Sequence, residues 1–286
     1  MKYFYAVILA SFSMVANCQL IKDSVLIEKH YRSFSYYQPR HNIEDGSLMF
    51  VMHGSGGNSG DMINKTTSLE KMSSRDKLLV VYPDGYQHFW NECRKYATSA
   101  ASKQNINENA FFTAMIQYFR NKYKIDRKKV FAAGFSGGGQ MAYKLGATMP
   151  QQIRAITAIV ANMPDSASCD CDLAGKALPV LIINGTEDNV NPYNGGEMFV
   201  NNASYGVVKS TENTLAYWSG LAGYTGNPEK AQLPDTDTSD HKIIEKYFFR
   251  SPDKPTVSLL KVIGGKHDYP GDIDVYVYAW EFFKSI

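Results

Sequence analysis

Along the chain, short runs of apolar residues alternate with longer stretches in which apolar positions recur every three or four residues. The first pattern predicts buried strands and the second amphipathic helices. Ser24 to Tyr37, rich in β-branched and aromatic residues, reads as two strands in a hairpin or meander. Further strands are expected at Ser47 to His53 (SLMFVMH), in KLLVVYPDG, at Val130 to Phe135, at Ala155 to Ala161, in PVLIIN from Pro179, and in KIIEKYFF and TVSLLKVI. Helices are expected from about Asp61 to Ser73, over Asn105 to Tyr123, after Ser136, near Glu212 to Leu221 and over Val275 to Lys284. In the second of these, Ala110, Phe111, Ala114, Met115, Tyr118 and Phe119 form one stripe. Strands alternating with helices, several of the strands apolar throughout, predict an α/β protein with a mostly parallel central sheet and helices on both faces.

Pro164 to Lys176 and the run LPDTDTSD are loop-like. Asp235 to Asp240 resembles the start of a calcium loop, but the sixth position lacks glycine and Lys246 stands where a bidentate glutamate belongs, so a solvated hairpin tip is expected. The length of 286 residues, with 44% hydrophobic and 20% charged, supports one large core, a single catalytic domain over residues 19–286. The formal net charge is +2, and lysines and arginines are scattered along the sequence, so neither nucleic acid nor an anionic membrane is expected as a partner.

Residues 1–18 have a basic start at Lys2, an apolar stretch from Phe4 to Met14 and small residues at Ala16 and Cys18, the layout of a cleaved export signal and too short for a membrane span. The rival reading makes Cys18 a lipid-modified amino terminus, for which VANC is a poor match. Export places Cys93, Cys169 and Cys171 in an oxidising compartment, where Cys93 can pair with either Cys169 or Cys171; a bond within Cys169-Asp170-Cys171 would close a strained ring. A zinc site using these thiols and His88 has no CxxC spacing behind it.

In a parallel sheet of this kind, ligands bind beyond the carboxyl ends of the strands, so reactive groups should follow strands directly. Gly134-Phe135-Ser136-Gly137-Gly138 matches G-x-S-x-G at a strand-to-helix corner, the setting in which that motif lifts a nucleophilic serine clear of the backbone. The plainer reading is a glycine-rich turn whose serine caps the helix. A serine hydroxyl needs a base to take its proton and an acid to orient that base, in the chain order Ser, Asp or Glu, His. Only His241 and His267 follow Ser136; His241 opens an apolar run, whereas His267 lies in the glycine-flanked loop GGKHDYPG, so His267 is the expected base. The turn after PVLIIN presents Glu187 and Asp188, with Asp188 preferred as the acid and Glu187 as the alternative. Two backbone donors are needed for the oxyanion. The amide of Gly137 is one, and HGSGGN after the first apolar strand supplies the other, with Ser55 expected to donate through its N–H. The mechanism requires no metal or cofactor.

The series HGSGGN, VVYPDG with Trp90-Asn91, KIDRKKVFAAGFSGGGQMAYKLG, PVLIINGTEDNVNPYNGG and GGKHDYPGD resembles the polyhydroxybutyrate depolymerase and feruloyl esterase family of secreted α/β-hydrolases across nearly the whole of residues 19–286. The resemblance implies an α/β-hydrolase fold and hydrolysis of carboxylic esters through Ser136, Asp188 and His267, with Ser55 and Gly137 at the oxyanion hole. The chain departs from the family at Lys266 and Tyr269, where glycine and tryptophan are common, at Asn107-Glu108-Asn109, where an Asp-Asp pair is usual, and at Gly137, where asparagine follows the serine. Trp90, Tyr193 and Tyr269, with Tyr86 and Phe89, fall on loops near the expected rim and are candidates to hold a feruloyl ring, a sugar or a hydroxyalkanoate chain. The expected partner is thus an ester substrate, feruloyl or acetyl groups on polysaccharide side chains, with hydroxyalkanoate ester hydrolysis as the alternative. An inactive binding protein on the same fold would have lost the serine, the histidine or the oxyanion glycines, and all of these are present.

Overall fold

A computed structural model describes residues 19–73, 75–200 and 202–286. The export signal, and with it the question of Cys18, lies outside the described residues. Twelve strands and seven helices are found among the described residues. The expected strands are β1 (Leu20–Ile27), β2 (His30–Tyr37), β3 (Ser47–Met52), β4 (Leu78–Pro83), β5 (Val130–Phe135), β6 (Ala155–Ile159), β7 (Val180–Gly185), β11 (Ile243–Ser251) and β12 (Lys254–Ile263). Three further strands, β8 (Gly196–Val200), β9 (Ala203–Val208) and β10 (Glu229–Gln232), are not apparent from the apolar pattern: β10 is a fully exposed EKAQ, and the β8–β9 hairpin carries glycines and half-exposed positions.

The helices are α1 (Ser59–Lys65), α2 (Thr67–Ser73), α3 (Ala100–Lys103), α4 (Glu108–Tyr123), α5 (Gly137–Thr148), α6 (Thr211–Leu221) and α7 (Val275–Lys284). The helix expected over Asp61 to Ser73 is therefore two, divided at Thr66, whose hydroxyl donates to the Met62 carbonyl while its ring of neighbours includes the Tyr82 hydroxyl. Local chemistry fixes the other boundaries. Asn58 and Asp61 form a reciprocal capping box at the start of α1, and Asn107 accepts from the Ala110 N–H at the start of α4, which ends on Lys124 in a left-handed conformation.

Ten strands form one sheet in the order β1-β2-β4-β3-β5-β6-β7-β12-β11-β10. The six central strands, β4 to β12, run parallel, and antiparallel strands extend both edges. Successive side chains of a strand point to opposite faces, so a strand covered on both sides must be apolar at every position. On β3, Leu48, Phe50 and Met52 enter a core with Phe111, Phe112, Met115 and Phe119 of α4 and Trp218 of α6. Met49 and Val51 enter a second core with Met62, Leu69, Trp280 and Phe283 of α1, α2 and α7. A disulfide joins Cys93 to Cys171 and leaves Cys169 free and half-buried, which selects one of the two pairings the sequence allows. Among the described residues no group of three or more His, Cys, Asp or Glu is placed to hold a metal ion, and no helix is long and apolar enough to cross a membrane.

Candidate active site

β5 ends at Phe135 and α5 begins at Gly137, leaving Ser136 alone at the corner with φ 53° and ψ −115°. A non-glycine residue in that region is strained and persists only where its surroundings over-determine it. Here the Ser136 N–H donates to the Ile159 carbonyl, and its own carbonyl accepts from the Gln140 N–H. Gly134 allows the turn: a Cβ there would lie 2.1 Å from the Gly138 carbonyl oxygen. The serine does not cap the helix, because its side chain makes no bond to the first turn. Its Oγ lies instead 2.9 Å from Nε2 of His267.

His267 reaches Ser136 from three strand spacings away, about 14 Å across the rim of the sheet. The loop that carries it leaves β12 beside β7 and is tied to the acid turn by backbone bonds: Thr186 N–H to the Val262 carbonyl (2.9 Å) and Glu187 N–H to the Gly265 carbonyl (2.8 Å). That turn buries Asp188 and exposes Glu187. Oδ1 of Asp188 accepts the N–H groups of Val190 and Asn191, each at 2.8 Å. Oδ2 faces Nδ1 of His267 at 2.7 Å. A carboxylate can only accept, so Nδ1 carries the imidazole proton and the Nε2 lone pair is directed at the serine hydroxyl.

The structure also brings Ser55 and Gly137 together. A Cβ on Gly137 would lie 2.6 Å from Ser55 Oγ and 3.0 Å from the Ser55 nitrogen. The Gly137 amide is the first of α5 and has no partner inside the helix, so it adds to the positive end of the helix dipole. His53, which sequence reasoning passed over, holds the Ser55 loop. Its Nε2 accepts the Gly85 N–H at 2.9 Å and its Nδ1–H donates to the Gly54 carbonyl at 2.7 Å. Burial pushes its pKa down, which keeps the ring neutral and able to accept. The signal available in the sequence was its position, last of an apolar strand and first of HGSGGN.

The three aromatic candidates are not equivalent. Trp90 is 3% exposed; its indole N–H donates to the His53 carbonyl at 2.9 Å and its ring packs 4.8 Å from that imidazole, so it braces the Ser55 loop rather than offering a face to a ligand. Tyr193 is also buried, under the ammonium of Lys261 on the α6 face of the sheet, and lines a cavity of about 360 Å³ away from Ser136. These positions depart from the sequence expectation because a loop position does not fix the side to which a ring turns. Tyr269 does stand at the rim: its ring centroid is 4.6 Å from that of Phe135, and Phe135 in turn is 5.4 Å from the His267 ring. Phe135, the first of the two variable residues of the G-x-S-x-G pentapeptide, was not singled out by sequence.

The acidic run after β10 is the expected exposed connection of a hairpin, joining β10 to the antiparallel β11, and it is also tied to the histidine loop. Asp240 accepts the Gly271 N–H at 3.1 Å, Asp272 accepts the N–H groups of Thr236 and Asp237 at 2.6 and 2.9 Å, and Lys242 pairs with Asp268 at 3.2 Å. These contacts dock residues 236–242 against the histidine loop. On the other side, Glu108 forms a buried ion pair with Arg32 at 2.9 Å and accepts the Asn91 N–H, while Lys144 of α5 donates to the Asn91 carbonyl at 2.6 Å. The Asn107-Glu108-Asn109 departure thus places its one carboxylate in a network that joins β2, the Trp90 loop and the serine helix.

Residues 47–216 match the family profile described as phospholipase/carboxylesterase. Among curated proteins, a probable feruloyl esterase C of Aspergillus niger is 28% identical over 164 residues, covering 54% of this chain and 55% of that protein. Feruloyl esterase C of Emericella nidulans is 27% identical over 159 residues, covering 54% of this chain and 53% of that protein. The alignments span about half the length of these relatives. Among solved structures, an acetyl xylan esterase from Aspergillus awamori superposes with a TM-score of 0.63 at 14% identity, covering 94% of this chain and 100% of that one. That likeness is one of fold alone. With more than half of its length matched by the profile, the chain belongs to the phospholipase/carboxylesterase family of α/β-hydrolases.

Proposed function

We propose that this protein is a serine carboxylic ester hydrolase working through an acyl-enzyme, with Ser136 as nucleophile, His267 as base and Asp188 as the orienting acid. The observation that carries the reading is the continuous chain from Asp188 Oδ2 through the imidazole to Ser136 Oγ, at 2.7 and 2.9 Å. Nε2 takes the serine proton as Oγ attacks the ester carbonyl; the resulting imidazolium is stabilised by Asp188, and the N–H groups of Gly137 and Ser55 receive the developing oxyanion. Collapse of the tetrahedral intermediate expels the alcohol with the proton from Nε2. Water then enters, loses a proton to Nε2, and releases the acid from Ser136.

Feruloyl or acetyl groups on polysaccharide side chains are the substrate class this reading favours. The named relatives are feruloyl esterases, and Phe135 and Tyr269 give the rim two rings in contact, tilted 36° to each other, beside the base. Hydroxyalkanoate ester hydrolysis has no support among these relatives. Export is part of the proposal, supported by the signal pattern in residues 1–18 and by the Cys93–Cys171 bond, a feature of oxidising compartments. A fluorophosphonate probe should label the wild type and leave Ser136→Ala unlabelled; an unlabelled wild type would end the enzyme reading. Acid release from methyl ferulate and acetylated xylan, set against hydroxybutyrate oligomers, tests the substrate class, and turnover of the oligomers alone would overturn it.

A further inference from the structure

Four of the lysines and arginines scattered in the sequence meet in space. Arg127 and Lys128 lie two to three residues before β5, Arg154 immediately precedes β6, and Arg120 lies in the last turn of α4; all four line one open cavity of about 530 Å³. None of the four makes an ion pair or side-chain hydrogen bond among the described residues, and no described carboxylate lines this cavity. Four unpaired cations on one concavity, in a chain whose total charge is only +2, concentrate a field that the rest of the surface balances out. The neighbouring cavity that shares Lys128 and Arg154 does contain Asp76 and Asp126, but those carboxylates are already paired, with Lys284 and Arg75 and with Lys129.

The remaining walls of the cationic cavity narrow the ligand class. Beside the cations they comprise Gln151, Gln152, three prolines and aliphatic residues, and no aromatic side chain. Single-stranded nucleic acid is held by cations interleaved with stacking aromatics, which this cavity lacks. Amides and flat aliphatic faces among cations suit instead a sugar chain that carries carboxylates. The cavity opens at the amino-terminal ends of the strands, whereas Ser136 follows the carboxyl end of β5, so six residues of strand, about 20 Å, separate the two. A polymer held at the base therefore leaves the catalytic rim clear.

We propose that the cavity at the base of β5 and β6 binds a carboxylate-bearing polysaccharide, tethering the enzyme to an acidic glycan while the rim works on ester groups within reach. The assignment of a glycan rests on the polysaccharide-ester reading above. A tether of this kind raises the effective concentration of substrate without a new contact at the catalytic serine.

The test is affinity electrophoresis of the Ser136→Ala protein, which cannot hydrolyse the probes, through gels containing polygalacturonate or the same polymer fully methyl-esterified. Retardation by polygalacturonate but not by the neutral ester is expected, weakening with salt as the Debye length falls below about 8 Å. Added Arg127→Glu and Arg154→Glu should lower the apparent affinity at least about tenfold; Arg127→Gln with Arg154→Gln, checked for an unchanged melting temperature, repeats the test without charge reversal. Equal retardation by the neutral polymer, unchanged binding in both double variants, or equally strong retardation by polyphosphate or DNA would overturn the proposal. Hydrolysis of methyl ferulate by the otherwise wild-type double variants at the parental rate is expected. Failure of the parent itself to hydrolyse it would count against the esterase reading, while the binding result would still judge the cavity.

Discussion

Replacing Asp188 by Asn isolates the tautomer on which the proposed mechanism depends. Oδ1 receives two backbone N–H groups, from Val190 and Asn191, so the new amide must turn its oxygen towards them and its NH2 towards His267. An NH2 group 2.7 Å from Nδ1 can only donate, so Nδ1 becomes the acceptor and the ring proton moves to Nε2. The ring then offers a donor, not a lone pair, to Ser136 Oγ at 2.9 Å. Loss of the correctly oriented base corresponds to a fall in kcat of about 10⁴, or about 5 kcal/mol of barrier, from the same substitution in other Ser-His-Asp enzymes. KM and the urea midpoint should change little, since the side-chain volume and the two backbone bonds persist. Steady-state release of nitrophenol from p-nitrophenyl acetate measures the effect, with Glu187→Gln as the control expected within about twofold of wild type, since that carboxylate is exposed and makes no bond to the imidazole. Asp188→Asn retaining a tenth or more of wild-type kcat, or Glu187→Gln losing as much, would refute the reasoning.

Burial pushes the pKa of Glu70 from 4.5 up to about 7. Burial favours the neutral carboxyl; the Tyr82 hydroxyl donates to Oε1 of Glu70 at 2.7 Å, a bond that only partly offsets that push. Stability from this neutral form is fully present below pH 4.5 and lost as pH rises through 7; urea unfolding at pH 5 and pH 8 should show Glu70→Gln gaining up to about 3 kcal/mol on wild type over that interval, against a pH-independent difference if the carboxyl is not perturbed. Gly134→Ala forces a methyl group onto the Gly138 carbonyl, and a destabilisation of about 3 kcal/mol or more, read as a lowered urea midpoint or loss of soluble protein, is expected. Trp90→Phe keeps most of the packing but removes the donor to the His53 carbonyl, and should cost about 1–2 kcal/mol with a larger fall in kcat than in affinity, measured on methyl ferulate. Cys93→Ser opens a cross-link between residues 78 positions apart and should lower stability by about 2–5 kcal/mol, seen as a drop in melting temperature.

The candidate triad was legible because each member follows an apolar strand directly, and the strand pattern alone carries Ser136, Asp188 and His267 to one rim. The boundaries of β5 and α7 were legible for the same reason, since their patterns are unbroken from Val130 to Phe135 and from Val275 to Lys284. Interactions between distant segments were not. Asp240 and Asp272 find their partners more than 30 residues away, so the docking of the acidic loop on the histidine loop leaves no local trace. Trp90 and Tyr193 share a composition with Tyr269 but turn into the core, a choice made by neighbours such as His53 and Lys261 that no spacing encodes. The four base cations lie at separate places in the sequence and meet only because three of them precede parallel strands at one end of the sheet and the fourth ends a helix beside them.

The backbone ladder joining the Asp188 turn to the histidine loop has a mechanical corollary. Carboxylate and imidazole ride on adjacent strands as one stiff unit, whereas the nucleophile rides on β5 with β6 between. Thermal breathing of the sheet must therefore widen the serine–imidazole gap before it parts the imidazole from its carboxylate. Heating should silence turnover while the bulk of the fold, and the acid–base pair within it, is still intact.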